Sequence, residues 1–339
     1  MTGSDRRAGK DGRAVAQWLL VCAAFTFATV VVGGITRLTH SGLSIVEWQP
    51  LVGALPPLSQ SDWEALFAKY RDTPQFVKVF PAMDLEGFRS IFWWEYIHRL
   101  LGRVIGIVFL VPYVFFLVKR KLPAKTAWQL AGVFVLGALQ GTMGWHMVQS
   151  GLVDDPRVSH FRLTAHLGLA LLIFATEMLL ALDVLNADKE QMRRTRTFPL
   201  AVAGLVFLMA LSGGLVAGLR AGHAYNTFPL MNGQLVPSEF LMIKPWWHNF
   251  LWNVATVQFV HRAFFWLLLI LIPLLWWKAR LTPARIAAHH LLAMFAIQAG
   301  LGISTLLLAV PVPLAAAHQA GAVLLLAAAL WTAHGPCKE

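Results

Sequence analysis

Long apolar stretches recur along this chain, separated by shorter segments that hold most of its charged residues. Eight of them approach or exceed the roughly 20 residues that a bilayer-spanning helix needs. They predict helices over 14–36, 93–118, 126–148, 162–182, 198–219, 250–277, 285–310 and 314–334. The pattern therefore predicts an all-α polytopic membrane protein. The first stretch, AVAQWLLVCAAFTFATVVVGGIT, is too long for a signal-peptide core and has no A-x-A site after it, so it reads as a retained helix. The connection 37–92 is too long for a simple loop and carries Trp48, Pro50, Pro56, Pro57 and Trp63 among mixed charge. A folded outer lid with short helical pieces is expected there.

The eight predicted helices repeat as two sets of four. Helix 1 ends VVVGGITRLTHSG and helix 5 ends LSGGLVAGLRAGH; helix 2 opens EYIHRLLGR and helix 6 opens QFVHRAFFW. Helix 3 carries Gln140 and Gly144 where helix 7 carries Gln298 and Gly302, and helix 4 has TAHLGLALL against AAHQAGAVLL in helix 8. Each set has an even number of helices, so the two share one orientation and form a parallel repeat about an axis along the membrane normal. The expected organisation is a tail over 1–13, a four-helix bundle over 14–182 that includes the lid 37–92, a linker over 183–197, a second four-helix bundle over 198–334 and a tail over 335–339.

Composition agrees with this reading. The chain is 57% hydrophobic and 13% charged, with mean hydropathy +0.60, which excludes a disordered or fibrous chain and argues against a soluble one. Its 28 Lys and Arg against 17 Asp and Glu give a net charge of +11. In a soluble protein such an excess points to nucleic acid. Here sixteen of the basic residues fall on the side of the termini, in short segments, and nine on the other, five of those spread over 37–92. The positive-inside rule places both termini in the cytoplasm and leaves no need for a nucleic-acid partner. The two cysteines, Cys22 and Cys337, exclude a disulfide framework or a thiolate zinc site.

Histidine carries the chemistry. Four intramembrane histidines sit at repeat-related places: His98 with His261, and His166 with His318. The apolar runs after His98 and His261 are too short to span, so each helix extends back through its His-Arg pair, and all four imidazoles are expected near the outer face. Ionisable residues inside a membrane are costly and mark function. Two imidazoles on facing helices of a bundle can ligate one haem iron from both sides, which gives one haem per half. Arg99 and Arg262 directly follow two of the histidines and are the expected contacts of the haem propionates. A bound copper or zinc ion is the weaker alternative. One position breaks the repeat: Glu95 lies three residues before His98, and Gln258 three before His261. Glutamate can take a proton or stabilise positive charge and glutamine cannot titrate, so the half with Glu95 reads as the reactive one and the half with Gln258 as an electron-transfer site.

These residues resemble the haem A synthase family, in its cysteine-free branch of proteobacteria and mitochondria. GGITRLTHSGLSIVEWQP at 33–50, EYIHRLLGR at 95–103, RLTAHLG at 162–168, VHR at 260–262 and AHQ at 317–319 carry the resemblance, which covers nearly the whole chain. It implies oxidation of the C8 methyl of haem O to a formyl group by successive hydroxylation, and delivery of haem A to cytochrome oxidase assembly. By the same resemblance, the substrate haem lies between His98 and His166, haem b is the cofactor held by His261 and His318, and Glu95 is catalytic. The implied setting is a bacterial cytoplasmic membrane with the haem sites toward the periplasm, a haem O synthase and an electron donor as partners, and room for a homo-oligomer. Two rivals explain the histidines alone: a bis-histidine b-type cytochrome linked to quinol, and a haem transporter or chaperone.

Overall fold

The computed structural model describes residues 3–49, 52–186 and 197–334. Among the described residues the chain is helical and has no β-strand. The long helices are α1 (Gly3–Leu38), α4 (Leu85–Val118), α5 (Ala124–Gln149), α6 (His160–Leu185), α7 (Thr197–Gly218), α9 (Val254–Ala279), α10 (Arg285–Leu307) and α11 (Val312–His334). Three short ones, α2 (Gln60–Arg71), α3 (Pro74–Val79) and α8 (Asn249–Trp252), lie in the connections. Among the described residues seven helices are long and apolar enough to cross a membrane: α1 over Gly12–Leu38, α4, α6, α7, α9, α10 and α11. The 26-residue α5 is long enough at 1.5 Å per residue, but Lys125, Gln129, Gln140, Thr142, His146 and Gln149 dilute its apolar face and it is not among the seven.

Two helix starts differ from the sequence expectation for local reasons. The helix predicted from 93 begins at Leu85, because Asp84 caps it by accepting the Gly87 N–H at 2.8 Å. Its extra turns bury Phe88, Ile91 and Phe92, spaced three and four apart, against Trp63 and Tyr70. The helix predicted from 250 is interrupted at Asn253, whose Oδ1 accepts the N–H groups of Ala255 and Thr256 and so starts α9 afresh after α8. The tail predicted over 1–13 is helical from Gly3, as part of α1. Most of the predicted linker 183–197 and all of the predicted tail 335–339 fall outside the described residues, although α6 continues to Leu185 and α7 starts at Thr197.

The connection after α1 carries its own small core. Ser59 and Asp62 form a capping box at the start of α2, and Thr73 caps α3. Trp63 and Tyr70 then pack on Phe88, Phe92 and Tyr96 of α4, with Trp63 and Phe92 rings 4.9 Å apart. The guanidinium of Arg89 stands 5.1 Å over the Trp63 ring.

The long helices pack in two similar rings. α1 touches α4 and α6, and α5 touches the same two; α7 touches α9 and α11, and α10 touches the same two. α1 and α6 meet α11, and α6 also meets α7, which joins the rings along a shared face. One buried cluster joins Val202, Val206, Leu268, Phe295, Leu326 and Ala329 of the second ring to Val30, Leu171 and Phe174 of the first, and Trp18, Leu19, Phe109, Leu130 and Ile173 form another within the first. The connections α1–α4, α5–α6, α7–α9 and α10–α11 gather at one end, called here the loop-rich end: Lys78 Nζ donates to Asp154 O, and Asn226 Nδ2 to Leu306 O.

Trp63 anchors the α1–α4 connection to α4, so Trp63→Ala should loosen that segment at a cost of about 3 kcal/mol and leave the long helices assembled. Limited proteolysis of the purified protein should then cut within 53–80 far faster than in the unaltered chain, with helical circular dichroism unchanged.

Candidate functional site

Each of the four histidines has its ring edge against a glycine of a neighbouring helix. A Cβ at Gly33 of α1 would stand 2.6 Å from Cε1 of His98 in α4, and one at Gly213 of α7 would stand 3.3 Å from Cε1 of His261 in α9. A Cβ at Gly144 of α5 would lie 3.0 Å from Cε1 of His166 in α6, and one at Gly302 of α10 would lie 2.7 Å from Cε1 of His318 in α11. These four glycines match one another by the same repeat that relates the histidines. The second glycine of each Gly-Gly pair faces the other ring. Gly34 packs against the side chain of Gln319, next to His318, and Gly214 against Thr164 and Leu167, which flank His166. One helical turn of α1 therefore serves both halves, and so does one turn of α7.

The rings are fixed further by amides and hydroxyls. Gln140 Nε2 donates to the His166 carbonyl at 3.1 Å, and Gln298 Nε2 does the same to His318 at 2.9 Å. Ser212 Oγ lies 2.8 Å from Nδ1 of His261. Nδ1 of His98, of His166 and of His318 is buried without a hydrogen-bond partner. His98 and His166 lie within electrostatic reach of each other, and so do His261 and His318. Among the described residues no group of three or more His, Cys, Asp or Glu side chains gathers in a way that would hold a lone metal ion.

Glu95 is 2% exposed and fully engaged. Its Oε2 accepts from Ser44 Oγ at 2.7 Å and from the Ile45 N–H at 2.9 Å, and its Oε1 accepts from Arg99 Nη2 at 2.6 Å and Nε at 3.1 Å. Arg99 reaches past Glu95 to the carbonyls of Ile45 and Glu47, so one ion pair pins the turn after α1 to α4. The second half repeats the device with one change. Arg262 donates to the carbonyls of Tyr225 and Thr227 and to Gln258 Oε1, while Gln258 Nε2 donates to the Ala221 carbonyl at 2.9 Å. Arg99 and Arg262, the expected propionate contacts, are held by these loop contacts. Their N–H groups are directed into the loops, because an i, i+4 partner on the same helix and unpaired loop carbonyls stand within reach.

One buried acid escaped the sequence reading. Glu177 of α6 is 1% exposed and accepts from Thr26 Oγ1 of α1 at 2.9 Å. It lies eleven residues after His166, which puts it on the same helix face about 16 Å along the axis. Thr26 lies seven residues before Gly33, again on the same face. Carried through the repeat, the pair becomes Val206 and Ala329. The signal was present in the sequence as a lone carboxylate inside an apolar run of α6.

The geometry defines a class: an all-helical protein with membrane-length apolar helices and four half-buried histidines, each with its ring edge against a glycine. The chain belongs to the cytochrome oxidase assembly protein family, whose model matches residues 16–330. It is 58% identical over 329 residues to the heme A synthase of Nitrosospira multiformis, covering 94% of this chain and 92% of that protein. It is 53% identical over 327 residues to the heme A synthase of Nitrosomonas eutropha, with 94% and 92% covered. Against the heme A synthase of Parvibaculum lavamentivorans the identity is 47% over 326 residues, with 96% and 95% covered.

The glycine seats predict a graded response. Gly33→Ala and Gly302→Ala place a methyl inside van der Waals distance of a ring edge and should destabilise by about 1–3 kcal/mol. Gly102→Ala in α4, where a Cβ meets nothing within 4 Å, should be neutral or stabilising by up to about 1 kcal/mol. Thermal unfolding in detergent compares the three. Equal behaviour would show that the seats do not constrain the histidines.

Proposed function

We propose that this chain is a haem A synthase: it oxidises the C8 methyl of haem O to a formyl group by successive hydroxylation and supplies haem A for cytochrome oxidase assembly. Membership of the cytochrome oxidase assembly family, with heme A synthases 47–58% identical over most of the chain, carries this reading. The eight long helices form two repeated four-helix bundles, α1, α4, α5 and α6 against α7, α9, α10 and α11. The matching order of helix contacts and the four matching glycine seats support this. With both termini in the cytoplasm of a bacterial inner membrane, the loop-rich end and the histidine pairs lie toward the periplasm. The distribution of Lys and Arg supports that orientation.

The residues fit haem in both halves. Buried ring nitrogens without protein partners at His98, His166 and His318 are free to ligate, and each imidazole is held edge-on to a glycine so that its plane is set. In this reading His98 and His166 hold the substrate iron, and His261 and His318 hold haem b. Haem b, when bound, supplies one-electron transfer.

Glu95 acts on the substrate half. Four donors already converge on its two oxygens, so a further donor displaces one of them. That favours Glu95 as a fixed negative charge opposite positive charge that develops during methyl oxidation, over Glu95 as a free proton acceptor. Arg99, Ser44 and the Ile45 N–H hold the carboxylate in place, and the small core around Trp63 covers that turn and excludes water.

The test is to purify the protein in mild detergent from cells able to make haem O, extract its haems and separate them by reverse-phase chromatography with mass detection. Haem B together with haem O, haem A or a hydroxylated intermediate is expected. Haem B alone, with no conversion of supplied haem O, would instead fit an electron carrier. Glu95→Gln should keep both haems and reduce the formyl product at least a hundredfold, the scale of losing one preorganised charge. His261→Ala and His318→Ala should lose haem b itself. Normal haem A output from Glu95→Gln would remove this carboxylate from the mechanism.

A further inference from the structure

Two arginines at the loop-rich end have no acidic partner. Arg37 closes α1, and Arg220 follows the end of α7. Arg37 stands one turn beyond the Gly33–Gly34 pair, and Arg220 about two turns beyond Gly213–Gly214. Both therefore lie beyond the two turns that serve both halves. Arg37 also crosses between the halves, its Nη2 donating to the Ala217 carbonyl of α7. The Arg220 backbone N–H donates to the same Ala217 carbonyl at 3.1 Å, which sets the two residues side by side, Arg37 half-buried and Arg220 exposed. Neither takes part in any ion pair among the described residues.

The nearby basic side chains are already directed elsewhere. Arg99 and Arg262 hold their loops, Arg162 donates to the His146 carbonyl, Arg157 pairs with Asp155, and Arg89 donates to Gln60. Partial desolvation, and then Arg220 and Arg37, hold the His40 imidazole below the ordinary histidine range. Two like charges side by side repel. Held together at the seam between two halves, they form a site complementary to an anion, and a guanidinium fork suits a carboxylate.

We propose that Arg37 and Arg220 form an anion seat at the seam between the two halves, which takes the propionate carboxylates at the outward edge of bound haem. This rests on the reading that the histidine pairs hold haem. Helical rise puts Arg37 about 6 Å outward of Gly33, a distance that an extended arginine side chain can bridge, and Arg220 stands two residues past the end of α7 on the same side. An anionic lipid headgroup offers related chemistry. The seam favours haem, since α1 is packed among α4, α6 and α11.

The experiment compares the unaltered protein with Arg37→Gln, Arg220→Gln and the double variant, all purified in mild detergent from cells able to make haem O. Haem content, the reduction midpoint of the bound haem, the rate of haem transfer to apomyoglobin and the co-purifying anionic phospholipid are measured. Removing positive charge beside the propionates should lower the midpoint in each single variant, more in the double, and speed haem transfer at least fivefold. The Arg37→Lys, Arg220→Lys pair keeps the charge but loses the fork. It should hold the midpoint near the unaltered value yet release haem faster, and it carries the test if the Gln variants do not accumulate. A double variant with full haem content, unmoved midpoint and unmoved transfer rate overturns the seat. Loss of bound phospholipid with an unmoved midpoint also overturns it and assigns the arginines to lipid. Unaltered protein that folds without haem overturns the reading of the histidine pairs instead.

Discussion

Close helix approach at two Gly-Gly pairs is the constraint on which the rest of the arrangement depends. Gly33 admits the edge of His98, and Gly34, on the next residue, admits Gln319 beside His318. Gly213 and Gly214 do the same for His261 and for the residues around His166. A side chain at any of these positions would push a histidine out of line or push the halves apart, and interiors this dense do not absorb such a change smoothly. In a membrane, where lipid is as apolar as leucine, small residues that let helices touch supply much of the packing energy. The same glycines thus serve cohesion between halves and the aim of the imidazoles.

The break in the repeat at Glu95 and Gln258 is written into the loop backbone as well as the side chain. Where the first half presents the N–H of Ile45 to the residue three before the histidine, the second half presents the carbonyl of Ala221. A carboxylate satisfies the first and would repel the second; an amide satisfies the second with its NH2 and its arginine with its oxygen. Glu95 and Gln258 are therefore not interchangeable parts, and each loop is shaped for its own residue. Arg99 and Arg262 do in both halves what the shared Arg position permits, which is to gather loop carbonyls over the site.

The all-helical architecture and its membrane-length helices were legible in the sequence because a bilayer converts hydropathy directly into span, and the histidines stood out because an ionisable group is costly there. The glycine seats were half legible: the Gly-Gly pairs and Gly144 with Gly302 stood out as repeat matches, but which ring each would meet depended on helix packing. The direction of Arg99 and Arg262 was not legible, since a cation beside a histidine reads the same whether it faces a ligand or a loop carbonyl. The early start of α4 was hidden because Phe88, Ile91 and Phe92 bury against α2 and not in the main bundle, so their period made sense only once Trp63 and Tyr70 were in place. Glu177 was passed over because no histidine or arginine lies near it in sequence. Its partner Thr26 is 151 residues away.

Among the described residues the buried carboxylates, Glu95 and Glu177, fall in the first half, which fits the division of labour proposed for the two. Cys22, Thr26, Glu95 and Glu177 belong to the first half. The repeat replaces them with Val202, Val206, Gln258 and Ala329. An iron that only passes electrons changes charge by one unit each time, and walls without a carboxylate let it do so with no obligatory proton. A site that removes hydrogen from a methyl group has the opposite need. Positive charge develops on the substrate, and in a low-dielectric interior a fixed carboxylate placed beforehand is worth far more than one in water. Such a carboxylate is tolerable in a bundle only if donors hold it, and Arg99, Ser44 and Ile45 do so for Glu95. A duplicated bundle can therefore specialise without changing its frame: the glycine seats and histidines stay matched, and a few buried polar positions decide which half can stabilise charge on a substrate.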